Sequence, residues 1–201
     1  MARHILSDSG HSLPPNLILF RGLPASGKST LARAVAMTNR VPILDRDILK
    51  ALAAQGYLDD VAAAKLSYAQ LLLLAEEQLA LGLGVVIDSP FTEGDQLTPF
   101  IALGRALGVP VRIIHCVVAL EVLQERIRRR DGQVSSVQWS GDSGVAKLTT
   151  RLQEDTAARS LLFPQPVVGA ELLPVDTHQP LDRCLEIIQE WLVKLQHLSF
   201  D

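Results

Sequence analysis

A short stretch near the start of the sequence has the residue types and the spacing of a phosphate-binding loop. An apolar run leads into Gly22, four residues separate it from Gly27, and Lys28 and Ser29 follow directly. Glycines permit the backbone conformations that turn the N–H groups of such a loop inward, towards an anion. The pattern also lies at a predicted strand-to-helix junction, as a P-loop requires. The candidate nucleotide-binding residues are Gly22, Leu23, Pro24, Ala25, Ser26, Gly27, Lys28, Ser29 and Thr30.

The polar end of this loop indicates how a nucleoside triphosphate would be held. Lys28 would reach the outer phosphates as a point charge, and the Ser29 hydroxyl would ligate Mg²⁺. A helix that begins near Lys28 would add the positive end of its dipole at the same place. We therefore expect a nucleoside triphosphate and Mg²⁺ as the ligands of this loop.

Two aspartates and a lysine follow the second predicted strand. Asp47 would face the terminal phosphate and accept a proton from an acceptor hydroxyl; the alternative is that it caps the next helix. Asp45 would point the same way and is a candidate ligand of Mg²⁺ or of its water shell. Lys50 lies on the same helix face as Asp47, where it would hold Asp47 or an anionic acceptor, or be a solvated surface lysine.

The third predicted strand ends in a carboxylate. Asp88 follows the apolar residues 85–87, and a carboxylate after such a strand, in a chain with a P-loop, is typical of a residue that organises Mg²⁺. The alternative is a cap of the following loop at Ser89. Asp88 is therefore a candidate metal ligand together with Ser29 and Asp45.

A basic helix end supplies two further candidates. Arg126 and Arg130 are four residues apart and share one helix face. They would lead into a lid at about residues 126–145 that closes over the phosphates and stabilises the transferring charge. The alternative is structural, because cations are favoured at a helix C-terminus. The candidate catalytic residues are Lys28, Asp47, Arg126 and Arg130.

Strands and helices alternate along the chain, which predicts an α/β fold. We expect a three-layer P-loop NTPase fold with a five-stranded parallel sheet, helices on both faces and a lid. Residues 1–15 are expected to form a flexible leader and residues 16–201 one domain. The strands are predicted at 17–21, 41–45, 85–88, 111–118 and 171–175, and the helices at 28–38, 48–55, 60–81, 99–107, 120–130, 145–162 and 180–197.

Composition limits the class of protein. The net charge of −3 and pI of about 5.9 give no general basic surface, which makes nucleic acid a less favoured acceptor. Cys116 and Cys184 lie far apart in apolar surroundings, as buried free thiols do, and His115 lies inside a predicted strand, which favours a core position. The first residues contain no apolar signal segment, and residues 71–87 are too short and interrupted to span a bilayer. We expect a soluble cytoplasmic protein.

The loop from Gly22 to Thr30 resembles the G-x-P-x-S-G-K-S-T loop of the small, zeta-toxin-like P-loop kinases. The phage-type polynucleotide 5′-kinase domain is the closest comparison, and chloramphenicol phosphotransferases, gluconate kinases and shikimate kinases share the plan. Arg46-Asp47 with Lys50 is similar to the family's R-D-x-x-R, which implies that Asp47 is the general base and that Lys50 replaces an arginine. Residues 85–88 and 121–130 are similar to the strand-three aspartate and the lid helix.

The resemblance implies a kinase that transfers the γ-phosphate of ATP to a hydroxyl of a small-molecule or nucleic-acid acceptor. The alternative is an ATP-binding or ATPase module that regulates without phosphorylating an acceptor. A GTPase is not indicated, because the sequence has no N-K-x-D motif and Asp88 is not followed by the D-x-x-G pattern.

Overall fold

A computed structural model describes residues 14–55, 58–92, 94–130 and 139–196. Its centre is a parallel sheet of five strands in the spatial order β2-β3-β1-β4-β5, so the α/β prediction is confirmed. The chain crosses over in both directions from β1, as expected when helices must cover both faces of a parallel sheet. The strands are β1 (Leu17–Arg21), β2 (Ile43–Asp45), β3 (Val85–Asp88), β4 (Val111–Val117) and β5 (Glu171–Asp176).

The helices divide between the two faces and one end of this sheet. They are α1 (Lys28–Asn39), α2 (Arg46–Gln55), α3 (Asp60–Ala80), α4 (Thr98–Leu107), α5 (Leu120–Arg128), α6 (Gly141–Glu154), α7 (Thr156–Ser160) and α8 (Leu181–Gln196), with a 3₁₀ turn at Gly94–Gln96. Helices α1 and α8 cover one face, α3 and α4 cover the other. None of the helices among the described residues is both long and apolar enough to cross a membrane.

Strand β1 is covered on both faces, which explains why its apolar residues do not alternate with polar ones. Ile18 and Phe20 pack with α1 and α8, whereas Leu17 and Leu19 pack with α3 and α4. All four side chains are at most 2% exposed. Each such burial contributes about 1.5–3 kcal/mol, so the strand that leads into the P-loop is fixed from both sides.

A third apolar cluster lies beneath the loops at one end of the sheet. It joins Leu23 and Ala25 of the P-loop to α5, α6 and α7 through Leu123, Leu148 and Ala158, respectively. The P-loop is therefore anchored to α5, the helix that carries Arg126.

Several element boundaries differ from the sequence prediction: β2 begins at Ile43 instead of 41, for example, and α6 at Gly141 instead of 145. Two other differences have a local cause. Helix α2 begins at Arg46, two residues earlier than predicted, because the Asp45 carboxylate accepts hydrogen bonds from the N–H groups of Asp47 (2.9 Å) and Ile48 (3.4 Å). The single helix predicted at 145–162 is wrong. Asp155 leaves helical geometry and its carboxylate accepts the N–H of Ala158 at 3.1 Å, which ends α6 and starts α7.

Helix α4 lies against β4 at a residue with no side chain. A Cβ on Gly104 would overlap the side chain of Val111 and lie 2.8 Å from the Val109 carbonyl oxygen. We expect Gly104→Ala to destabilise the protein by about 1–2 kcal/mol in urea unfolding, because overpacking of about 1–3 kcal/mol exceeds the gain of up to about 1 kcal/mol in helix propensity. Ala106→Ser, on the exposed side of α4, is the control. Equal stability of the glycine and alanine forms would contradict this contact.

The prediction of core positions for His115 and the two cysteines is confirmed. Cys116 and Cys184 are buried free thiols, and His115 is 0% exposed, with Nε2 2.9 Å from the Leu161 carbonyl oxygen. Burial lowers the pKa of His115 to about 4 and raises that of Cys116 to about 12. Both groups are therefore uncharged at neutral pH.

The lowered pKa of His115 predicts how stability depends on pH. Below its ordinary pKa of 6.5 the unfolded chain binds a proton that the folded chain does not bind until about pH 4. Stability is therefore expected to fall as the pH drops from 6.5 to 4, by an amount on the order of 3 kcal/mol. His115→Gln would flatten that slope in urea unfolding across this pH range, whereas the exposed His178→Gln would not. Parallel slopes for all three proteins would contradict the assignment.

Candidate active site

The candidate residues come from separate parts of the chain, and the sheet brings them to one edge. Strand β3 lies between β2 and β1, and its last residue, Asp88, is in register with Asp45 on one side and Phe20 on the other. The carboxyl ends of the three strands therefore place Asp45, Asp88 and the P-loop side by side. This is the edge at which open α/β sheets bind their ligands.

The P-loop has the geometry of a cradle. Gly22 has a φ of 147°, and a Cβ there would lie 2.5 Å from the Cys116 carbonyl oxygen, so no side chain fits. Gly27 has a φ of 88° immediately before α1. The Ser26 hydroxyl is buried without a hydrogen-bond partner among the described residues. A hollow loop with an unsatisfied donor fits the phosphate groups of a nucleotide.

Lys28 and Asp88 form the electrostatic centre of the site. Burial lowers the pKa of Lys28, and the charge of Asp88 opposes that shift. Burial likewise raises the pKa of Asp88, opposed by Lys28 and by a hydrogen bond from Ser29. The Lys28 ammonium donates to the Leu23 carbonyl oxygen at 2.9 Å. Lys28 is therefore held inside the P-loop next to a buried carboxylate.

Ser29 and Asp88 also offer the oxygen donors that Mg²⁺ prefers. Among the described residues no group of three or more acidic, histidine or cysteine side chains forms a metal cluster. This donor set fits a cation that takes one or two protein ligands and completes its shell with phosphate and water oxygens.

Asp45 and Asp47 differ in their surroundings, although Asp45 ends β2 and Asp47 follows two residues later. One oxygen of Asp45 caps α2, and the other pairs with Arg33 at 3.1 Å. The Asp47 side chain is 53% exposed and contacts an Arg46 nitrogen at 3.3 Å. The alternative that Asp47 caps α2 is therefore wrong, since Asp45 does so, and the Asp47 carboxylate can face an incoming molecule.

Lys50 is engaged away from Asp47. Its ammonium lies 2.6 Å from a carboxylate oxygen of Asp60, the first residue of α3. That hydrogen bond lowers the pKa of Asp60. Lys50 therefore ties α2 to α3 at the rim of the site.

Arg126 and Arg130 have different roles in the structure. Arg126 donates to the Thr177 carbonyl (2.6 Å), the Thr177 hydroxyl (3.2 Å) and the Ala25 carbonyl (3.4 Å). It thus joins the P-loop to the turn after β5. Arg130 lies beyond the end of α5, where burial lowers its pKa and the charge of Asp47 opposes this shift. The part of the expected lid at 131–138 lies outside the described residues.

The sequence did not predict the contacts of Tyr68, a tyrosine of α3 that lies next to Arg46. The Arg46 guanidinium lies 5.2 Å from the centre of the Tyr68 ring. The Tyr68 hydroxyl donates to Gln96 (2.8 Å) and accepts from Ser89 (3.0 Å). Arg151 donates to Thr92 at 3.3 Å. A tyrosine in an Ala/Leu-rich helix was the available signal for this group, because nothing local requires an aromatic residue there.

Comparison with known families agrees with this architecture. The family model AAA_33, described as an AAA domain, matches residues 17–159, which include the P-loop, both predicted acidic strand ends and the basic helix. No curated protein matches the sequence significantly.

Solved structures match over most of the chain. A protein from Chloroflexus aurantiacus, described as a candidate kinase, is 24% identical with a TM-score of 0.65, covering 88% of this chain and 97% of its own. A gluconokinase from Sinorhizobium meliloti is 21% identical with a TM-score of 0.60, covering 92% and 97%. An APS kinase from Mycobacterium tuberculosis, in complex with AMPPNP and APS, is 17% identical with a TM-score of 0.60, covering 90% and 99%. At these identities the likeness establishes the fold.

Proposed function

This chain belongs to the AAA_33 family, and from that premise we propose that it is an ATP-dependent kinase that phosphorylates a hydroxyl group. One observation carries the proposal: the strand register brings Asp45 and Asp88 beside the P-loop that holds Lys28, and Asp47 follows Asp45 with its carboxylate exposed. Phosphoryl transfer requires such a combination of positioning, charge neutralisation and a proton acceptor. The kinase described for the C. aurantiacus neighbour, the gluconokinase and the APS kinase are consistent with this class of reaction.

The proposed roles follow from the surroundings of each residue. Asp47, exposed and unused by α2, accepts the proton of the acceptor hydroxyl. Lys28 and Arg130 neutralise the charge on the transferring phosphoryl group. Arg126 holds the P-loop against the turn at Thr177, so its contribution is to position the loop.

Residues Ser29 and Asp88 are the proposed ligands of Mg²⁺, because their side chains already lie together. When bound, Mg²⁺ supplies charge neutralisation and orientation of phosphate oxygens. Asp45 is a weaker candidate for direct ligation, since both of its oxygens are engaged within the chain. Its proposed role is to fix the start of α2 and with it the position of Asp47.

The proposal is tested by product formation. The protein is incubated with ATP, Mg²⁺ and panels of alcohols, sugars, hydroxy acids, antibiotics and 5′-hydroxyl oligonucleotides, and phosphorylated products are identified by mass spectrometry. We expect phosphorylation of at least one acceptor class. Release of ADP and phosphate without any phosphorylated acceptor would identify an ATPase module instead. Phosphorylation of oligonucleotides alone, with binding that falls steeply with salt, would identify a nucleic-acid acceptor.

A further inference from the structure

We propose that the acceptor is a small hydroxy compound that carries an oxyanion group, a carboxylate or a phosphate, and that Arg46, held against Tyr68, binds that group. This inference rests on the proposed kinase function and names the acceptor class. The acceptor would then lie between α2, α3 and the loop after β3, with its hydroxyl at Asp47.

Arg46 has unused capacity to donate hydrogen bonds. Its side chain is 14% exposed, and its Nε is buried without a hydrogen-bond partner among the described residues. Its ion-pair contact, with Asp47, is long at 3.3 Å. A guanidinium has five donors in a planar fork, and leaving them unsatisfied in a buried position is costly. An oxyanion is the group whose geometry satisfies that fork.

Tyr68 fixes the orientation of this guanidinium. The 5.2 Å distance from the Arg46 carbon to the ring centre is that of a cation–π contact. The ring itself is held at its hydroxyl by Gln96 and Ser89 and at its face by Phe91, 5.9 Å away between ring centres. Ser89 and Phe91 follow Asp88 in the chain. The loop that follows Asp88 therefore holds Tyr68 and, through it, Arg46.

Two other cations on the neighbouring elements are paired with acids. Lys50 is neutralised by Asp60 at 2.6 Å, and Arg151 faces Asp155 at 3.5 Å. Asp47, the acid beside Arg46, is also within reach of the positive charges of Lys28 and Arg130. Arg46 has an ion pair with the exposed Asp47 at 3.3 Å, and its buried Nε has no hydrogen-bond partner among the described residues, so the oxyanion of an acceptor would add the missing partner.

The test uses matched acceptor pairs that differ in one charged group. Each neutral polyol is compared with the aldonic acid of the same carbon number, and glycerol is compared with glycerol 3-phosphate. Initial rates give KM and kcat for each acceptor, and calorimetry gives binding without turnover. We expect one anionic series to be phosphorylated and bound in preference to its neutral partner. Comparison of the aldonic acids with glycerol 3-phosphate shows whether the site prefers a carboxylate or a phosphate.

Substitutions at Arg46 and Tyr68 test whether Arg46 causes the preference for anionic acceptors. Arg46→Gln is expected to raise KM for the anionic acceptor roughly 10- to 100-fold, with KM for ATP unchanged. Tyr68→Leu, which removes the ring, should raise the same KM roughly 3- to 10-fold. Tyr68→Phe, which keeps the ring but removes its hydrogen bonds to Gln96 and Ser89, should raise it by a smaller factor. Arg183→Gln, an exposed arginine of α8 paired with Glu186, is the control and should leave both KM values unchanged.

Several outcomes would overturn the inference. Equal use of neutral and anionic acceptors would do so, as would an equal effect of Arg46→Gln on both. If no acceptor is phosphorylated, the kinase proposal fails. Calorimetric binding of an anionic compound that Arg46→Gln abolishes would nevertheless support the subsite, and absence of such binding would overturn it.

Discussion

Replacement of Asp47 by asparagine is expected to lower kcat by about 10²- to 10⁴-fold, the range for loss of a general base. The amide has nearly the same shape, but it cannot accept the proton of an acceptor hydroxyl. Helix α2 should be unaffected, since Asp45 provides its cap. The measurement is kcat with a saturating acceptor, together with KM for ATP and the circular dichroism spectrum, neither of which should change.

Asp182→Asn is a matched control, because Asp182 is an exposed acid in the first turn of α8, which follows β5 at the opposite end of the strand order from β2. It should have wild-type activity. Undiminished product formation by Asp47→Asn would refute the base assignment. A loss of ATP binding in that variant would show that Asp47 acts on the nucleotide instead.

Replacement of Lys28 by methionine is expected to lower kcat/KM by at least about 10²-fold, since one preorganised charge on a transition state is worth that much or more. It should also remove the stabilisation that ATP binding confers on the folded protein. At an ATP concentration of 100 times Kd this stabilisation is about 2.7 kcal/mol. The measurement is the shift in thermal unfolding on addition of ATP and Mg²⁺.

Without nucleotide, the Lys28→Met protein should be nearly as stable as the wild type. Burial penalises the charged ammonium, and the variant removes that cost together with the favourable charge next to Asp88. Removing Lys28 also removes the effect that lowers the pKa of Asp88, so that pKa should rise further. Lys194→Met, an exposed lysine of α8, is the control. Wild-type ATP affinity in Lys28→Met would contradict the role of the loop.

The sheet and the P-loop could be predicted from the sequence because their signals are local. An uninterrupted apolar run followed by glycines at fixed spacing is typical of a buried strand that leads into a P-loop. Strand β1 is buried on both faces, as that pattern requires. The acid that ends β3, Asp88, was predictable for the same reason. Register then places Asp45 and Asp88 side by side, which follows from parallel pairing alone.

The different contacts that the polar residues of α2 and its start make could not be predicted from local patterns. Asp45 and Asp47 are two residues apart, and only the start of α2 decides which of them is the cap and which remains exposed. Lys50 meets Asp60, the first residue of the next helix. The contact of Arg46 with Tyr68 depends on the packing of α2 against α3, for which the sequence offers no spacing rule.

The three hydrogen bonds of Arg126 have a consequence for how the phosphate loop responds to its ligand. They connect Ala25, whose φ is 66°, to a turn that the chain reaches more than 150 residues later. The conformational entropy of the loop is therefore lost during folding of the whole chain, before a nucleotide arrives. Binding should require little reordering of the loop. The amide proton of Ser26, which donates to the Leu23 carbonyl oxygen at 3.2 Å, should exchange slowly even in the free protein, at a rate that Arg126→Ala increases.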